Sequence, residues 1–296
     1  MENTQYTDET NLNENIIVPK SIDFLLIGAG DLAKFTLSHL PSSFNNVYLV
    51  SNTQWDEAWS LHNTTSIFEL ANELNIEYVN AKNYEEAKNF IFSKKPNICL
   101  TVGSKWIFKS DILDHFNGLI FNYHPTDLPK YRGGGGFSWQ VLNGEKKTYT
   151  TIHQMVSKID AGKIVIKRES KVKENPFPLD FFKSTFILAQ KTIIDFFNLI
   201  SQNEQVSLYT QNNENSTYFP LLKSNINGAL NWEWNIQHIE NFIRAFSYPY
   251  PGAFTYYNDK IVHILESHIE KIDSFHPFCV GLITGYLDDG SVKIIC

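Results

Sequence analysis

Arginine is scarce in this 296-residue chain, which contains only Arg132, Arg168 and Arg244. Charged residues make up 19% of the sequence, below the usual quarter, and the formal net charge is −7. A nucleic-acid-binding domain normally carries a basic face that neutralises phosphates. The composition therefore argues against nucleic acid as a partner, although it leaves room for a local basic patch.

Cysteine is also rare, and the three cysteines, Cys99, Cys279 and Cys296, form no CxxC pair. An odd number without paired spacing argues against a disulfide framework and favours a reduced compartment. No apolar run approaches the roughly 20 residues that a membrane span requires, and the N-terminus is too acidic and polar for a secretory signal. We therefore expect a cytoplasmic protein without a membrane partner.

The short motifs of several catalytic classes are missing as well. The sequence contains no HExxH, no GxSxG, no cysteine beside a histidine, and no G-K-[ST] after its run of four glycines. These absences argue against a zinc protease, a serine hydrolase and a phosphate-binding P-loop. We predict neither a metal site nor a covalent nucleophile.

Apolar runs that end at glycines alternate with amphipathic segments from Ile22 onward. The run "IDFLLIGAG" predicts a buried strand, "DLAKFTLSHL" predicts a helix, and the alternation continues to a long amphipathic helix over residues 177–200. Such alternation indicates βαβ units and a parallel sheet. We predict an α/β fold with a Rossmann-like, mostly parallel sheet and a smaller, mainly β C-terminal domain containing two hairpins.

Composition shifts predict the domain boundaries. Residues 1–20 are polar and predict a mobile tail, residues 21–200 form the catalytic domain, and the Asn- and Gln-rich residues 201–220 form a linker. Residues 221–296 form the C-terminal domain. The chain ends at Cys296 inside a strand-like pattern, and such an ending is expected of a truncated domain.

The segment "GAGDLA", Gly28 to Ala33, is similar to the G-x-G-x-x-G/A fingerprint of dinucleotide-binding folds. That fingerprint also needs an acidic residue at the end of the second strand, where this chain has Ser51 and Asn52. We therefore favour a tight strand-to-helix turn, with a dinucleotide-binding module kept as an alternative.

The stretch "FNYHPTDLPKYRGGGG" places Asn122 and His124 two residues apart on a predicted strand. Their side chains point to one face, at the carboxyl end of the strand, where open α/β sheets bind ligands. Asp160, in the turn "KIDAGKI", is a candidate third partner. His153 lies within a strand, and we interpret it as structural.

Three segments, "FNYHPTDLPKYRG", "NGEKKTYTTIHQM" and "DAGKIV", resemble the N10-formyltetrahydrofolate-dependent formyltransferases, and the resemblance covers roughly residues 22–260. It implies the formyltransferase fold, N10-formyltetrahydrofolate as co-substrate, and Asn122, His124 and Asp160 as catalytic residues. Asn122 would stabilise an oxyanion, and His124 would act as general base on the amine or donate to the oxyanion. Asp160 would orient His124, stabilise its charge or relay a proton to the leaving N10. The sequence departs from many relatives at its four glycines, where they carry Arg or Pro.

The resemblance also suggests binding residues. For the folate these are Val102, Gly103, Ser104, Lys105, Trp106, Leu128 and Asp160. For the acceptor substrate they are Lys130, Tyr131, Arg132, Gly133, Gly134 and Tyr250. Within the family the second domain often builds a homodimer, which is therefore an expectation here.

The acceptor is the open question. Residues 31–60 contain one cation, Lys34, where a tRNA formyltransferase is expected to present a basic loop. We therefore favour the amine of a nucleotide-linked amino sugar, dTDP- or UDP-linked, in cell-surface polysaccharide biosynthesis such as O-antigen or lipopolysaccharide. The alternatives are methionyl-tRNA formyltransferase, or a formyltransferase acting on another amine.

Overall fold

The computed structural model describes residues 13–59, 65–134, 136–270 and 276–296. They pack as two compact units. The first contains the residues up to Gly133, Thr148–Ser170 and Thr185–Tyr218; the second contains Gly134–Lys147, Lys171–Ser184 and Phe219–Cys296. The chain thus alternates between units several times, where the sequence predicts a single linker. The predicted domains stay a prediction.

The strands follow in chain order. They are β1 (Asn13–Ile17), β2 (Asp23–Gly28), β3 (Asn46–Ser51), β4 (Glu77–Asn80), β5 (Ile98–Val102), β6 (Ile120–His124), β7 (Arg132–Gly133), β8 (Lys147–Gln154), β9 (Ile164–Lys171), β10 (Gln205–Tyr209), β11 (Tyr218–Phe219), β12 (Ala253–Tyr257), β13 (Lys260–Ile264), β14 (Ile283–Tyr286) and β15 (Val292–Ile294).

The helices are α1 (Gly30–Ser38), α2 (Thr53–Trp59), α3 (Ile67–Glu73), α4 (Tyr84–Lys94), α5 (Ser110–Phe116), α6 (Gly136–Leu142), α7 (Pro178–Gln202), α8 (Ser224–Asn227) and α9 (Ile236–Phe246). None of the helices in the described ranges is long and apolar enough to cross a membrane.

A nine-stranded sheet organises the described part of the first unit, in the order β1-β10-β9-β8-β6-β5-β2-β3-β4. The strands β4, β3, β2, β5 and β6 are mutually parallel, and β8 adds to β6 in the antiparallel direction. The predicted α/β class with a mostly parallel central sheet is confirmed. The antiparallel strands extend one side of it.

Strand β2 shows how the apolar runs build this sheet. Phe24 and Leu26 contribute to one hydrophobic cluster, and Leu25 and Ile27 contribute to another, because successive side chains of a strand point to opposite faces. All four are fully buried. A strand covered by helices on both faces needs apolar residues at every position, which explains the continuous run in the sequence.

The turn between β2 and α1 is a packing feature. A Cβ at Gly28 would lie 2.2 Å from the carbonyl oxygen of Val102, so only glycine fits between the adjacent strands. The N-terminus of α1 is closed by the chain itself, because Gly30 N–H donates to Asp56 Oδ1 at 3.0 Å. Asp56 is buried and lies 3.6 Å from Lys34 Nζ. A carboxylate thus occupies the place where a dinucleotide fold binds phosphate.

Two strands lie in stretches that the sequence assigned to a tail and a linker. Residues 13–17 form β1, which pairs antiparallel with β10 in the predicted linker. Strand β10 buries Val206 and Leu208 on alternate positions, so its short "QVSLY" pattern is that of a half-buried strand. The rest of the predicted tail, residues 1–12, lies outside the described residues.

The second unit is smaller and contains two hairpins. Strand β12 pairs with β13, and β14 pairs with β15. The first hairpin turns through Asn258 and Asp259, whose φ angles of 47° and 60° suit a two-residue turn. The hydrophobic core of the second unit contains Val141 of α6 and Ile239 and Ile243 of α9. The predicted C-terminal domain with hairpin sheets is confirmed as a feature of the fold.

Candidate functional site

The register of the central strands places three polar side chains side by side. Thr101 of β5 lies opposite Asn122 of β6, and Asn122 lies opposite His153 of β8. Because β5 and β6 are parallel, Thr101 and Asn122 sit near the same carboxyl edge of the sheet. This is the edge at which open α/β sheets bind ligands.

Hydrogen bonds orient the amide of Asn122. The hydroxyl of Thr101 donates to Asn122 Oδ1 at 2.5 Å, and Asn122 Nδ2 lies 3.3 Å from His153 Nε2. His153 Nδ1 lies 2.7 Å from the carbonyl of Gln154, which accepts only, so we assign the His153 proton to Nδ1 and the acceptor to Nε2. One hydrogen of the Asn122 amide then points to His153, and the second is left for a ligand.

The tautomer of His124 follows from its neighbours. Its Nε2 lies 2.9 Å from the carbonyl oxygen of Tyr131 and 3.8 Å from Asp160 Oδ2, and both of these oxygens accept protons. We therefore assign the proton to Nε2, which leaves the lone pair on Nδ1. Burial lowers the pKa of His124, although Asp160 and the Tyr131 carbonyl oppose this shift. The ring is then neutral at pH 7 and able to accept a proton.

Asp160 lies between the two histidines. Its Oδ1 is 3.5 Å from His153 Nε2, and its Oδ2 accepts a hydrogen bond from Gly133 N–H at 2.8 Å. Burial alone would raise the pKa of Asp160, but the neighbouring His124 and the Gly133 N–H lower it far below its ordinary value. The carboxylate stays ionised, so it can stabilise a positive charge that develops on His124.

Thr101, Asn122, His153 and Asp160 line a small cleft of about 130 Å³ within the first unit. The other polar side chains that line it are Ser104 and Ser157, and the apolar ones are Trp106, Ile107, Phe108, Met155, Val156 and Ile159. His124 does not line this cleft itself, and its Nε2 lies 3.8 Å from Asp160 Oδ2. An apolar cleft with a few convergent polar groups is the usual form of a small-molecule site.

Some of the residues predicted for the folate line the cleft, and others do not. Ser104 and Trp106 line the cleft, and Trp106 packs against Trp55 at a ring-centroid distance of 4.5 Å. Val102 is buried at the end of β5, Gly103 follows with φ of 74°, and Lys105 is exposed. Leu128 is fully buried and does not line the cleft.

The residues predicted for the acceptor are also divided. Arg132 donates to Gln211 Oε1 and to Asn213 Oδ1, and Gly133 holds Asp160. Tyr131 is buried and Lys130 is exposed. Gly134 and Tyr250 belong to the second unit, where Gly134 packs on Leu221, and Gly135 lies outside the described residues.

Sequence reasoning missed Thr101 and Gln211, and it interpreted His153 as structural. Thr101 is the polar residue in the otherwise apolar strand "ICLTV", at its carboxyl end, which was a usable signal. His153 required the register of β8 against β6. Gln211 lies in a polar stretch without periodicity, so no local signal marked it.

In the described ranges, no group of three or more His, Cys, Asp or Glu side chains is placed to hold a metal ion. The prediction that the protein uses no metal stays a prediction.

Gly162, in the loop after Asp160, lies very close to the backbone of Gln154, and this close approach yields a stability prediction. A Cβ at Gly162 would lie 1.9 Å from the carbonyl oxygen of Gln154. Gly162→Ala should therefore lower the free energy of unfolding by about 1–3 kcal/mol, since the backbone must move apart. The matched control is Gly285→Ala, because a Cβ there meets nothing within 4 Å. Equal urea midpoints for the two variants would contradict the prediction.

Comparisons with known proteins agree with this geometry. A family model described as "Formyl transferase" matches residues 36–179, and one described as "Formyl transferase, C-terminal domain" matches residues 223–296. The methionyl-tRNA formyltransferase of Alkaliphilus oremlandii is 30% identical over 206 residues, covering 67% of this chain and 66% of that protein. The chain therefore spans just under two thirds of that relative's length.

Two solved structures share the fold. The N-formyltransferase from Helicobacter canadensis, solved with folinic acid and dTDP-3-aminofucose, aligns with a TM-score of 0.65 and 23% identity over 80% of this chain and 85% of that one. WlaRD, a sugar 3N-formyl transferase solved with dTDP and 5-N-formyl-THF, aligns with a TM-score of 0.61 and 23% identity over 77% and 80%. With both family models matched in order, this chain belongs to the formyl transferase family.

Proposed function

We propose that this protein transfers the formyl group of N10-formyltetrahydrofolate to the amine of a nucleotide-linked amino sugar, dTDP- or UDP-linked, for cell-surface polysaccharide biosynthesis. The observation that carries the proposal is the cluster of Asn122, His124 and Asp160 at a carboxyl strand edge, beside an apolar cleft. The cluster combines an amide donor, a neutral imidazole and an ionised carboxylate. These are the groups that acyl transfer to an amine requires.

The chemistry follows from the three groups. The acceptor amine attacks the formyl carbon, and the carbonyl oxygen becomes an oxyanion that the free hydrogen of Asn122 Nδ2 stabilises. His124 takes the amine proton on Nδ1, and Asp160 stabilises the resulting imidazolium. The bond between the formyl carbon and N10 then breaks, and N10 takes up the proton that His124 removed from the amine, which returns His124 to its neutral form. The products are tetrahydrofolate and the N-formylated sugar nucleotide.

The cleft suits the folate. A flat pterin needs an apolar slot and nearby polar groups, and the cleft offers Trp106, Phe108 and Met155 beside Ser104. The placement of Ser104 and Trp106 supports the predicted folate residues. The structures of WlaRD and the Helicobacter canadensis protein, which contain folate derivatives, support the same co-substrate.

The cationic side chains favour a small anion over a tRNA. Arg168 pairs with Asp195, and Arg244 is buried against Glu240. Lys34, the one cation in residues 31–60, is buried beside Asp56. Arg132 instead binds the neutral amides Gln211 and Asn213, so its charge remains able to attract a pyrophosphate.

Methionyl-tRNA formyltransferase is the second candidate. It is favoured by the 30% identity to the Alkaliphilus oremlandii enzyme. The scarcity of arginine and the burial of Lys34 oppose it, because an acceptor stem is bound chiefly through its phosphates. A homodimer and a cytoplasmic location accompany the first proposal as expectations.

A substrate panel separates the two candidates. The protein is assayed with N10-formyltetrahydrofolate and dTDP- and UDP-linked 3-amino and 4-amino sugars, and in parallel with charged initiator tRNA. We expect tetrahydrofolate release and an N-formylated product with at least one sugar nucleotide. Formylation of the tRNA with no turnover of any amino sugar would overturn the first proposal.

Replacement of Asn122 tests the oxyanion role. Asn122→Ala should lower kcat at least about 100-fold, since one well-aimed donor is worth that much in comparable sites. Folate binding, followed by fluorescence quenching, should persist because the apolar wall of the cleft is intact. Asn227→Ala, in the second unit, is the matched amide control and should keep wild-type kcat. An Asn122→Ala enzyme with near-normal kcat would refute the assignment.

A further inference from the structure

Gln211 connects the two loops that carry the site. Its Nε2 donates to the carbonyl oxygens of Asp160 and Gly162, at 2.8 and 2.6 Å. Its Oε1 accepts from Nε and a terminal nitrogen of Arg132, at 3.2 and 2.7 Å. The side chain is 5% exposed, and both donors and both acceptor positions of the amide are used.

Asp160 needs such support because of its backbone. Its φ of 49° lies in the left-handed region, which side-chain-bearing residues keep only when their surroundings hold them. The Gly133 N–H holds the carboxylate from the side of the Arg132 loop. Gln211 holds the backbone of the same residue from the other side. Between these two contacts, Asp160 Oδ2 lies 3.8 Å from His124 Nε2.

Only a primary amide satisfies both sides of this junction. Two carbonyl oxygens require donors, whereas a guanidinium requires an acceptor, and glutamine presents both on one planar group. A glutamate would place a carboxylate against two carbonyls. An apolar residue would leave buried polar groups without partners.

We propose that Gln211 is a positioning residue that fixes the Asp160 carboxylate relative to His124 and ties that placement to the guanidinium of Arg132. Its catalytic consequence rests on the proposed function, but the geometric effect on His124 does not. The charged and titratable groups facing His124 are Asp160 and His153, and Arg132 acts on Asp160. A displaced Asp160 would withdraw the negative charge that favours protonated His124.

The test is an NMR titration of the histidine ring protons in the full chain without substrate, with the His124 signal assigned by its loss in His124→Gln. Gln211→Met keeps the length of the side chain and removes all its hydrogen bonds. We expect the His124 midpoint to move to lower pH than in the wild type. Asn213→Ala is the matched control, since Asn213 Oδ1 also accepts a hydrogen bond from Arg132, whereas the Asp160 carbonyl accepts from Gln211; its midpoint should stay at the wild-type value.

Turnover provides the second measurement. With the best acceptor of the substrate panel, Gln211→Met should lower kcat about 10- to 100-fold with little change in the KM for folate, as expected for a misplaced catalytic group. Gln211→Asn, one methylene shorter, is the second variant if the Met variant does not fold. A folded variant with an unchanged His124 midpoint and wild-type kcat would overturn the proposal. A wild type that turns over no acceptor, with the midpoint shift still present, would instead count against the proposed function alone.

Discussion

Replacement of His124 by alanine is expected to lower kcat by about 100- to 10,000-fold, the range that a general base contributes. The reason is geometric: Nε2 is committed to the Tyr131 carbonyl, and Nδ1 holds the lone pair that accepts the amine proton. The folate should still bind, because His124 does not line the cleft. Steady-state kinetics and a folate titration measure the two effects separately.

The pH dependence of the wild-type enzyme sharpens this expectation. Because burial lowers the pKa of His124, the ring loses its base function only when the pH falls below the ordinary histidine range. The rate kcat/KM should therefore decline on acidification with a midpoint below about 6.5, and this limb should vanish in His124→Ala. Added imidazole should restore part of the rate. His39→Ala, at an exposed histidine, is the control, and a comparable loss there would contradict a specific role for His124.

Asp160→Asn is expected to lower kcat by a similar factor, about 100- to 10,000-fold, as loss of a buried carboxylate beside a catalytic imidazole does elsewhere. Asparagine has the same shape and tolerates a positive φ, so the loop should keep its conformation. The variant lacks the charge that stabilises the imidazolium, and its amide presents donors to the Gly133 N–H or to the histidines.

Kinetics and thermal unfolding together check this expectation. Asp160→Asn should still unfold cooperatively above the assay temperature while kcat falls. Its melting temperature should lie below that of the wild type, because the lowered pKa of Asp160 means that the ionised carboxylate stabilises the fold. Asp289→Asn is a matched control, because Asp289 also accepts hydrogen bonds, from Ser291, but lies in a hairpin turn of the second unit. If Asp160→Asn retains most of its activity, Asp160 does not stabilise charge on His124.

Much of the fold could be predicted because its central strands are locally distinctive. The run from Phe24 to Ile27 is apolar at every position, and the structure buries both faces of β2. Strands β1 and β10 escaped prediction for the opposite reason. Each is a short edge or near-edge strand among polar residues, and its conformation is fixed by the partner strand more than by its own composition.

Some residues of the candidate site could also be predicted from the sequence, and others could not. Asn122 and His124 are neighbours in sequence, so their common face followed from strand periodicity. Asp160 required the resemblance, because a turn aspartate has no signal of its own. His153 and Gln211 depend on contacts between residues far apart in the chain, with Gln211 lying 51 positions after Asp160. Only the folded chain brings such residues together.

The carboxylate that closes α1 has a consequence for how such sequences are classified. A glycine-rich strand-to-helix turn followed by an acidic side chain is commonly taken as a cofactor signature of oxidoreductases. Here an acidic side chain does follow β3, the second strand of the parallel unit. However, Asp56 accepts a hydrogen bond from the N–H of Gly30, 26 positions earlier. An aspartate in that region can therefore occupy the N-terminus of the helix and exclude a nucleotide phosphate, as well as bind a ribose. A search for this fingerprint should therefore also ask whether a carboxylate of the same chain already binds the N-terminus of the first helix.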